Sequence, residues 1–401
     1  MARKLENWLD SYVNEYTAQT ESPLAYRLWV GISVLAGALG RKTWVSWDTL
    51  IYPNMYIILV GPAAGSRKGT AMAPGINLYA DAELPTASKK FTAEGLADEM
   101  AKVKKEYLDP DTGKGHFQCA ASCFSTELIV TLGQQDSAKL GWLTDLYDCL
   151  PTWASATRYR GQEVLRNSCL NFLGATSPDW LPSIFPMDAI GGGYTSRVIF
   201  VVESTKGEIA EGRPVRPEAN EQLHDELLSD LLDIGAMAGE MTISKKAEDA
   251  MLLAYKKQEQ ELRKGNKILE GNRMESYVGR RQTHMRKLAM VLSAARSNER
   301  IIKLEDWERA VEILTKTEKT MPRAFTSLGY NKDNIAASTI VTTISHHKTI
   351  ARGKLLSAIM NDVDLPTFVR VVSLLQEAGV IKVTGSSSNP TYELKNLDEK
   401  L

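Results

Sequence analysis

At 401 residues the chain is too long for one ordinary hydrophobic core, and its 43% apolar share can supply two or three units of roughly 100–200 residues each. The apolar run Trp29 to Leu39 covers eleven residues, against the ~20 that a bilayer-crossing helix needs, and the first twenty residues are charged and polar. Neither a membrane span nor a secretory leader is therefore expected, and the run reads as a buried helix. Cysteines 119, 123, 149 and 169 form no CxxC pair, and His116 with Cys119 and Cys123 gives three ligands where structural zinc takes four. A zinc site is not expected, and reduced thiols suit a cytoplasm.

From the N-terminus, Leu5 to Gly40 has helical periodicity broken at Ser22-Pro23, which predicts a new helix with serine near its N-cap and proline at N1. Strand-like runs follow at Thr43 to Trp47, Met55 to Val60, His116 to Phe124, Cys169 to Leu173 and Arg197 to Val202, with helical stretches between most of them. This alternation predicts an α/β fold with a mostly parallel sheet covered on both faces. Asp109 to Gly115, DPDTGKG, is a turn-rich excursion, Gly212 to Pro217 is a linker, and Glu218 to Ser327 reads as helices.

The near-neutral net charge of −1 hides an asymmetry in that helical region. Val201 to Glu240 has ten acidic residues against three basic, and Met241 to Arg300 has fourteen basic against seven acidic. Such a basic block marks either a nucleic-acid or nucleotide-facing surface or a solvated helix face.

Between Ile57 and Thr70 the chain reads IILVGPAAGSRKGT, a strand-like run, a glycine loop with one lysine, and a helix-compatible stretch. This is the order of a phosphate-binding loop, in which unpaired N–H groups at a helix start face phosphate oxygens and a lysine adds a point charge. Gly61, Gly65, Ser66, Arg67, Lys68, Gly69 and Thr70 are the expected nucleotide contacts, with Lys68 on the β/γ-phosphates and Thr70 on Mg2+. The spacing is a variant of G-x-x-x-x-G-K-[ST], because Arg67 stands where the last glycine belongs and Gly69 precedes the hydroxyl.

Further polar residues follow the other strand-like runs. Glu127, after SCFST, is placed to activate water, while Thr126 stands where an aspartate is usual and Asp145 or Asp148 are candidate metal helpers. In NFLGATSPDW, Asn171, Thr176 and Ser177 are polar tips able to sense a γ-phosphate. In GGGYTSRVIFVVE, Arg197 is placed to act as an arginine finger on a neighbouring subunit's ATP, with a structural salt bridge as the alternative. The C-terminal piece, Ala336 to Leu394, reads as three helices and two short strands, IKVT and TYEL, joined by GSSSNP. That is a winged-helix pattern, in which Arg370, Lys382 and Lys348 could meet phosphates, although such domains also dock proteins. His346-His347 reads as a helix-end pair.

The succession SPLAYRLWVGISVLAGALGRK, YPNMYIILVGPAAGSRKGT, TRYRGQEVLRNSCLNFLGATSPDWL and GGGYTSRVIFVVES resembles a family of helicase-like P-loop ATPases carried by phages and mobile elements, known mainly as a domain of unknown function. More distantly it resembles the AAA+ core of minichromosome-maintenance replicative helicases. The resemblance covers most of residues 20 to 320. It implies that Ser177-Pro178 matches a sensor, Ser196-Arg197 a finger and Arg281-Gln282 a lid-helix pair, and that Thr157 to Gln162 is a pore hairpin with Arg158 and Arg160 on DNA. The expected domains are an N-terminal helical segment (1–50) packing on the core, an AAA+ P-loop core (51–206), a helical lid (207–330) and a winged helix (336–397).

The function this implies is a ring-forming, hexameric, ATP- and Mg2+-dependent DNA helicase or translocase in phage or mobile-element replication, in the cytoplasm of a bacterial host. Single-stranded DNA would lie in the pore, duplex DNA or replication proteins on the winged helix, and no membrane is involved. The alternatives are a replication initiator or helicase loader, and a nucleotide-binding, DNA-binding assembly module with weak hydrolysis, which the substitutions at Arg67, Gly69 and Thr126 favour.

Overall fold

Apolar runs with little alternation are suited to strands buried on both faces, and four such runs form the centre of the chain's largest sheet. The computed structural model describes residues 3–63, 65–157, 161–186, 192–209, 216–269, 274–325, 332–360, 363–386 and 389–395. The chain divides into two units, Met1–Phe325 and Thr326–Leu401.

In the first unit the sheet has six strands: β1 (Tyr56–Val60), β2 (Thr86–Ala87), β3 (Lys104–Leu108), β4 (Gly115–Ser125), β5 (Ser168–Thr176) and β6 (Val198–Val202). Their order is β6-β1-β5-β4-β2, all parallel, and β3 pairs antiparallel with β4. This α/β architecture is compatible with a P-loop-like core. The expected runs at 55–60, 116–124, 169–173 and 197–202 lie in this sheet. The run at 43–47 does not: Thr43–Ser46 joins a separate small sheet with Leu50–Ile51 and Gly239–Glu240. Strand β3, with sequence KKEYL, carries no apolar signal, and the DPDTGKG excursion is the turn that folds it back on β4.

Helix α1 (Leu24–Leu39) contains the apolar run and is buried along almost its whole length, packing on the sheet, on α2 (Lys68–Asp81) and on α3 (Glu275–Arg296). A helix apolar on nearly all sides has nowhere else to go. Its start differs from expectation by one residue. Pro23 is the N-cap and not N1, and the buried Ser22 hydroxyl caps nothing. Tyr26 on α1 donates to Val60 O at 2.7 Å, and Trp29 Nε1 donates to Thr317 Oγ1 at 2.9 Å.

One polar side chain ties these layers together. Asn171, in the middle of β5, accepts from Met55 N at 3.1 Å and donates to Ser33 O and Oγ on α1, both at 3.1 Å. It is 2% exposed and lies in the interior of the sheet. The expectation that it reaches a phosphate is therefore replaced by a structural role. The region 218–325 is built mainly of helices, including Glu221–Ala236, Lys245–Arg263, α3 and Leu304–Glu318.

The second unit has helices Lys332–His347, Arg352–Ile359 and Leu365–Glu377, and an antiparallel sheet of Thr349–Ala351, Asn389–Leu394 and Ile381–Ser386. Ile340, Ile344, Leu355, Phe368, Val371 and Tyr392 fill its core. Among the described residues, no helix is long and apolar enough to cross a membrane.

Replacing Asn171 by leucine leaves the Met55 N–H and the Ser33 carbonyl short of a partner. The Asn171→Leu chain should lose about 2–3 kcal/mol of stability. A lower urea midpoint at unchanged m-value is the expected reading, and an unaltered midpoint would refute the staple.

Candidate functional site

Strand β1 ends at Val60 and α2 begins at Lys68, so the glycine loop is a strand-to-helix connection. Gly61 is required by close approach: a Cβ there would lie 2.5 Å from both Glu203 O and the Tyr26 hydroxyl. Around Gly69 there is open space, and Gly65 has only the Pro62 Cβ at 4.0 Å. No side chain caps α2, so the N–H groups of its first turn have no partner from a cap. The Lys68 ammonium closes over the loop, donating to Gly61 O at 2.6 Å, Pro62 O at 2.8 Å and Ser66 Oγ at 3.2 Å.

Arg67 explains its own oddity. Its φ is +54°, the left-handed region where glycine is preferred, and its guanidinium leaves the loop to pair with Glu21 Oε2 at 2.8 Å. Lys206 also reaches that oxygen, at 3.2 Å. The arginine in the glycine's place therefore does not block the mouth with its side chain. Sequence reasoning missed Glu21 and Lys206 because neither is near the motif in the chain.

Register brings the remaining groups to the same edge. Val60 pairs with Thr176, and Ser125 pairs with Gly174, so Gly61, Thr176 and the residues just after Ser125 end level with one another. Glu127 follows β4 there and is exposed. Burial lowers the pKa of Lys68, and the nearby Glu127 carboxylate partly opposes that shift. Thr176 is buried and its hydroxyl donates to Ser177 O at 3.3 Å; Thr70 is exposed on the first turn of α2. Glu203, just past β6, adds a carboxylate that the sequence reading did not single out, with its pKa raised by burial.

The glycine-flanked opening, the uncapped helix start and Lys68 fit a nucleotide's phosphates. Among the described residues, no three His, Cys, Asp or Glu side chains converge to hold a metal. Mg2+ is commonly bound through one or two carboxylates together with substrate phosphates, and Thr70 and Glu127 fit that limited role. Asp148 does not, because it lies at the other edge of the sheet.

That other edge is where Arg197 is found, immediately before β6. It is 6% exposed; its Nε meets Asp148 Oδ1 at 3.1 Å, Nη2 meets Oδ2, and Nη1 donates to Gly193 O at 2.7 Å. The salt bridge that the sequence offered as the alternative to a finger is thus present in this chain. Beside it, His284 Nε2 faces Ser196 O at 3.0 Å and Nδ1 faces the Tyr147 hydroxyl at 3.3 Å. A carbonyl only accepts, so the proton is on Nε2 and the ring is neutral, and burial drives its pKa down to about 3. Arg281 is likewise engaged: its Nε meets both Glu318 oxygens, at 2.7 and 2.9 Å, and Tyr277 supports the same carboxylate.

The strands Thr152–Thr157 and Gly161–Arg166 form an antiparallel hairpin, and Arg158 and Arg160 lie outside the described residues. In the second unit Arg370 pairs with Asp333, through Nε at 2.9 Å and through Nη2, and Lys382 pairs with Glu393 at 3.2 Å. These cations have carboxylate partners, so phosphate contact would have to displace them. No protein-family model matches the chain, and no curated protein matches it significantly.

Two outcomes follow from the Arg197 edge. Arg197→Ala should destabilise the nucleotide-free chain by about 2–3 kcal/mol, less than a fully buried pair because Asp148 is one-third exposed and Arg280 stays beside it; a denaturation curve superimposable on wild type would contradict the structural pair. For His284, the unfolded ring takes a proton near pH 6.5 that the native ring refuses until about 3. Stability fully present above pH 6.5 is therefore lost as pH falls through that window, at up to about 1.4 kcal/mol per pH unit. His284→Gln should flatten the decline of the urea midpoint between pH 6.5 and 4.5, and an equally steep decline would remove His284 from the account.

Proposed function

We propose that the chain is a nucleoside triphosphatase of AAA+ type, a ring-forming, hexameric helicase or translocase acting on DNA in phage or mobile-element replication. The observation that carries the ATPase reading is the convergence of Lys68, the uncapped start of α2 and Glu127 on one edge of a parallel sheet. In open α/β sheets ligands bind outside the carboxyl ends of the strands, which is this edge. The loop N–H groups and Lys68 bind the phosphates, Thr176 and Ser177 lie level with the γ-phosphate end, and Glu127 orients the attacking water and takes its proton. Magnesium held with the nucleotide by Thr70 and Glu127 would supply neutralisation of phosphate charge.

The sequence resemblance supports the assembly and DNA parts of this reading. On it, the helices of 207–330 act as the lid, the hairpin carrying Arg158 and Arg160 lines the pore for single-stranded DNA, and the second unit is a winged helix for duplex DNA or a replication partner. A three-helix unit with a terminal hairpin, Ile381–Ser386 and Asn389–Leu394, is in keeping with that last assignment. The reading as a nucleotide-binding module with weak hydrolysis is favoured by one observation: Thr126, beside Glu127, supplies no second carboxylate.

Purified Lys68→Ala should lose ATP turnover without losing its fold. Glu127→Gln should keep nucleotide binding while turnover falls by roughly 10²–10⁴. Wild-type turnover in Lys68→Ala would sink the ATPase assignment, and binding without turnover in the wild-type chain would select the module reading. Arg158→Ala/Arg160→Ala should keep basal hydrolysis and lose stimulation by single-stranded DNA, in samples whose ring state is read by particle imaging.

A further inference from the structure

The edge of the sheet opposite the phosphate loop, roughly 17 Å away along the five residues of β1, carries a second concentration of charge. A cleft of about 570 Å³ opens there between the small sheet of Thr43–Ser46 and Leu50–Ile51, the segment 147–151 and α3. Arg41, Arg280 and Lys287 line it, with Asp148 as the one carboxylate. Asp148 is already held by Arg197, and only Nη1 of Arg280 reaches it, at 3.3 Å. Among the described residues lining the cleft, three cations therefore face a single carboxylate, which Arg197 already holds.

Two of those cations are buried on neutral partners. Lys287 donates to Asn54 O at 3.0 Å and Oδ1 at 2.7 Å, and its ammonium lies 4.2 Å from the centre of the Tyr147 ring. Arg41 donates through Nη1 to Cys149 O and to Ser168 O and lies over the Tyr52 ring at 4.3 Å. Tyr52 and Thr283 also line the cleft. Buried charge without a carboxylate partner is costly, and these two cations point to what would relieve it. The loss shows in Lys287, whose pKa burial lowers to about 8.

We propose that this cleft is a second anion site, taking a phosphate group on the guanidinium forks of Arg41 and Arg280 with Lys287 as the point charge beneath. Arginine forks match phosphate geometry, and a cleft of this size has room for more than the phosphate itself. Leu50, Ile51, Leu150 and Pro151 on the lining would meet the organic remainder of a phosphoester. Such a group could come from a small phosphoester or from a nucleic-acid backbone.

The test uses pyrophosphate titrated calorimetrically into the full chain carrying Lys68→Ala, which removes the phosphate loop's charge. Binding of one pyrophosphate per chain is expected, weakened about tenfold or more when Arg280→Gln is added and partly retained with Arg280→Lys, as for loss of a charge-assisted hydrogen bond. Arg280 is one-third exposed, so these variants should fold, and an unchanged ligand-free melting temperature checks it. Displacement of the pyrophosphate by glycerol phosphate supports the site and names a small phosphoester; displacement by oligothymidylate alone supports it and names a nucleic-acid backbone. No binding in Lys68→Ala, or equal binding after Arg280→Gln is added, overturns the proposal.

Discussion

The parallel register of β4, β5 and β1 is the constraint on which the rest depends. Because Ser125 pairs with Gly174 and Thr176 with Val60, three chain segments far apart in sequence leave the sheet at one level. The loop, the polar end of β5 and Glu127 meet for that reason alone. Slipping any strand by one residue would reverse its buried faces and carry its terminal side chain out of line, so the apolar runs that hold the register also hold the site. Asn171 guards the same register from inside, since its amide fits only when β1, β5 and α1 are aligned.

The two edges of the sheet are built on different electrostatic plans. At the carboxyl edge the charges are few and half open: Lys68 rests on carbonyls, Glu127 is exposed, and Arg67 is drawn aside by Glu21. At the amino edge most are buried, Asp148 being one-third exposed. Arg197 and Asp148 pair beside a neutral His284, while Lys287 and Arg41 are held by carbonyls, an amide and aromatic faces. Helix α3 supplies much of that edge, and the burial of its charged residues accounts for part of the basic block between 241 and 300. Arg280, Arg281, Arg286 and Lys287 are neither a solvated face nor a uniform nucleic-acid surface. Arg281 pairs with Glu318, Arg286 lies over Trp47, and Arg280 and Lys287 turn toward the cleft.

The motif's departure from the usual phosphate loop also has a local explanation. A non-glycine residue at φ +54° costs on the order of 1 kcal/mol, and the ion pair to Glu21 offsets that strain while removing the side chain from the opening. The arginine in the glycine's place is therefore accommodated from a different part of the chain, which the string alone does not show.

Much of this architecture was legible in order and period. The alternation of apolar runs and helical stretches gave an α/β chain with a mostly parallel sheet, the run at 29–39 gave a buried helix, and the glycine loop was placed correctly between a strand and a helix, because these features depend on neighbours within a few residues. Strand β3 escaped notice because KKEYL is held by its hairpin partner β4 and not by its own hydrophobicity. Asn171 and Arg197 were assigned to chemistry from their place in or beside strand-like runs, and their sequence neighbours say nothing about where in the sheet they lie. Only the folded chain decides that, since the direction of each strand sets which end carries the loop, and burial decides whether a charged side chain is left for a ligand or committed to a partner, such as Arg197 to Asp148, that lies 49 residues away in the chain.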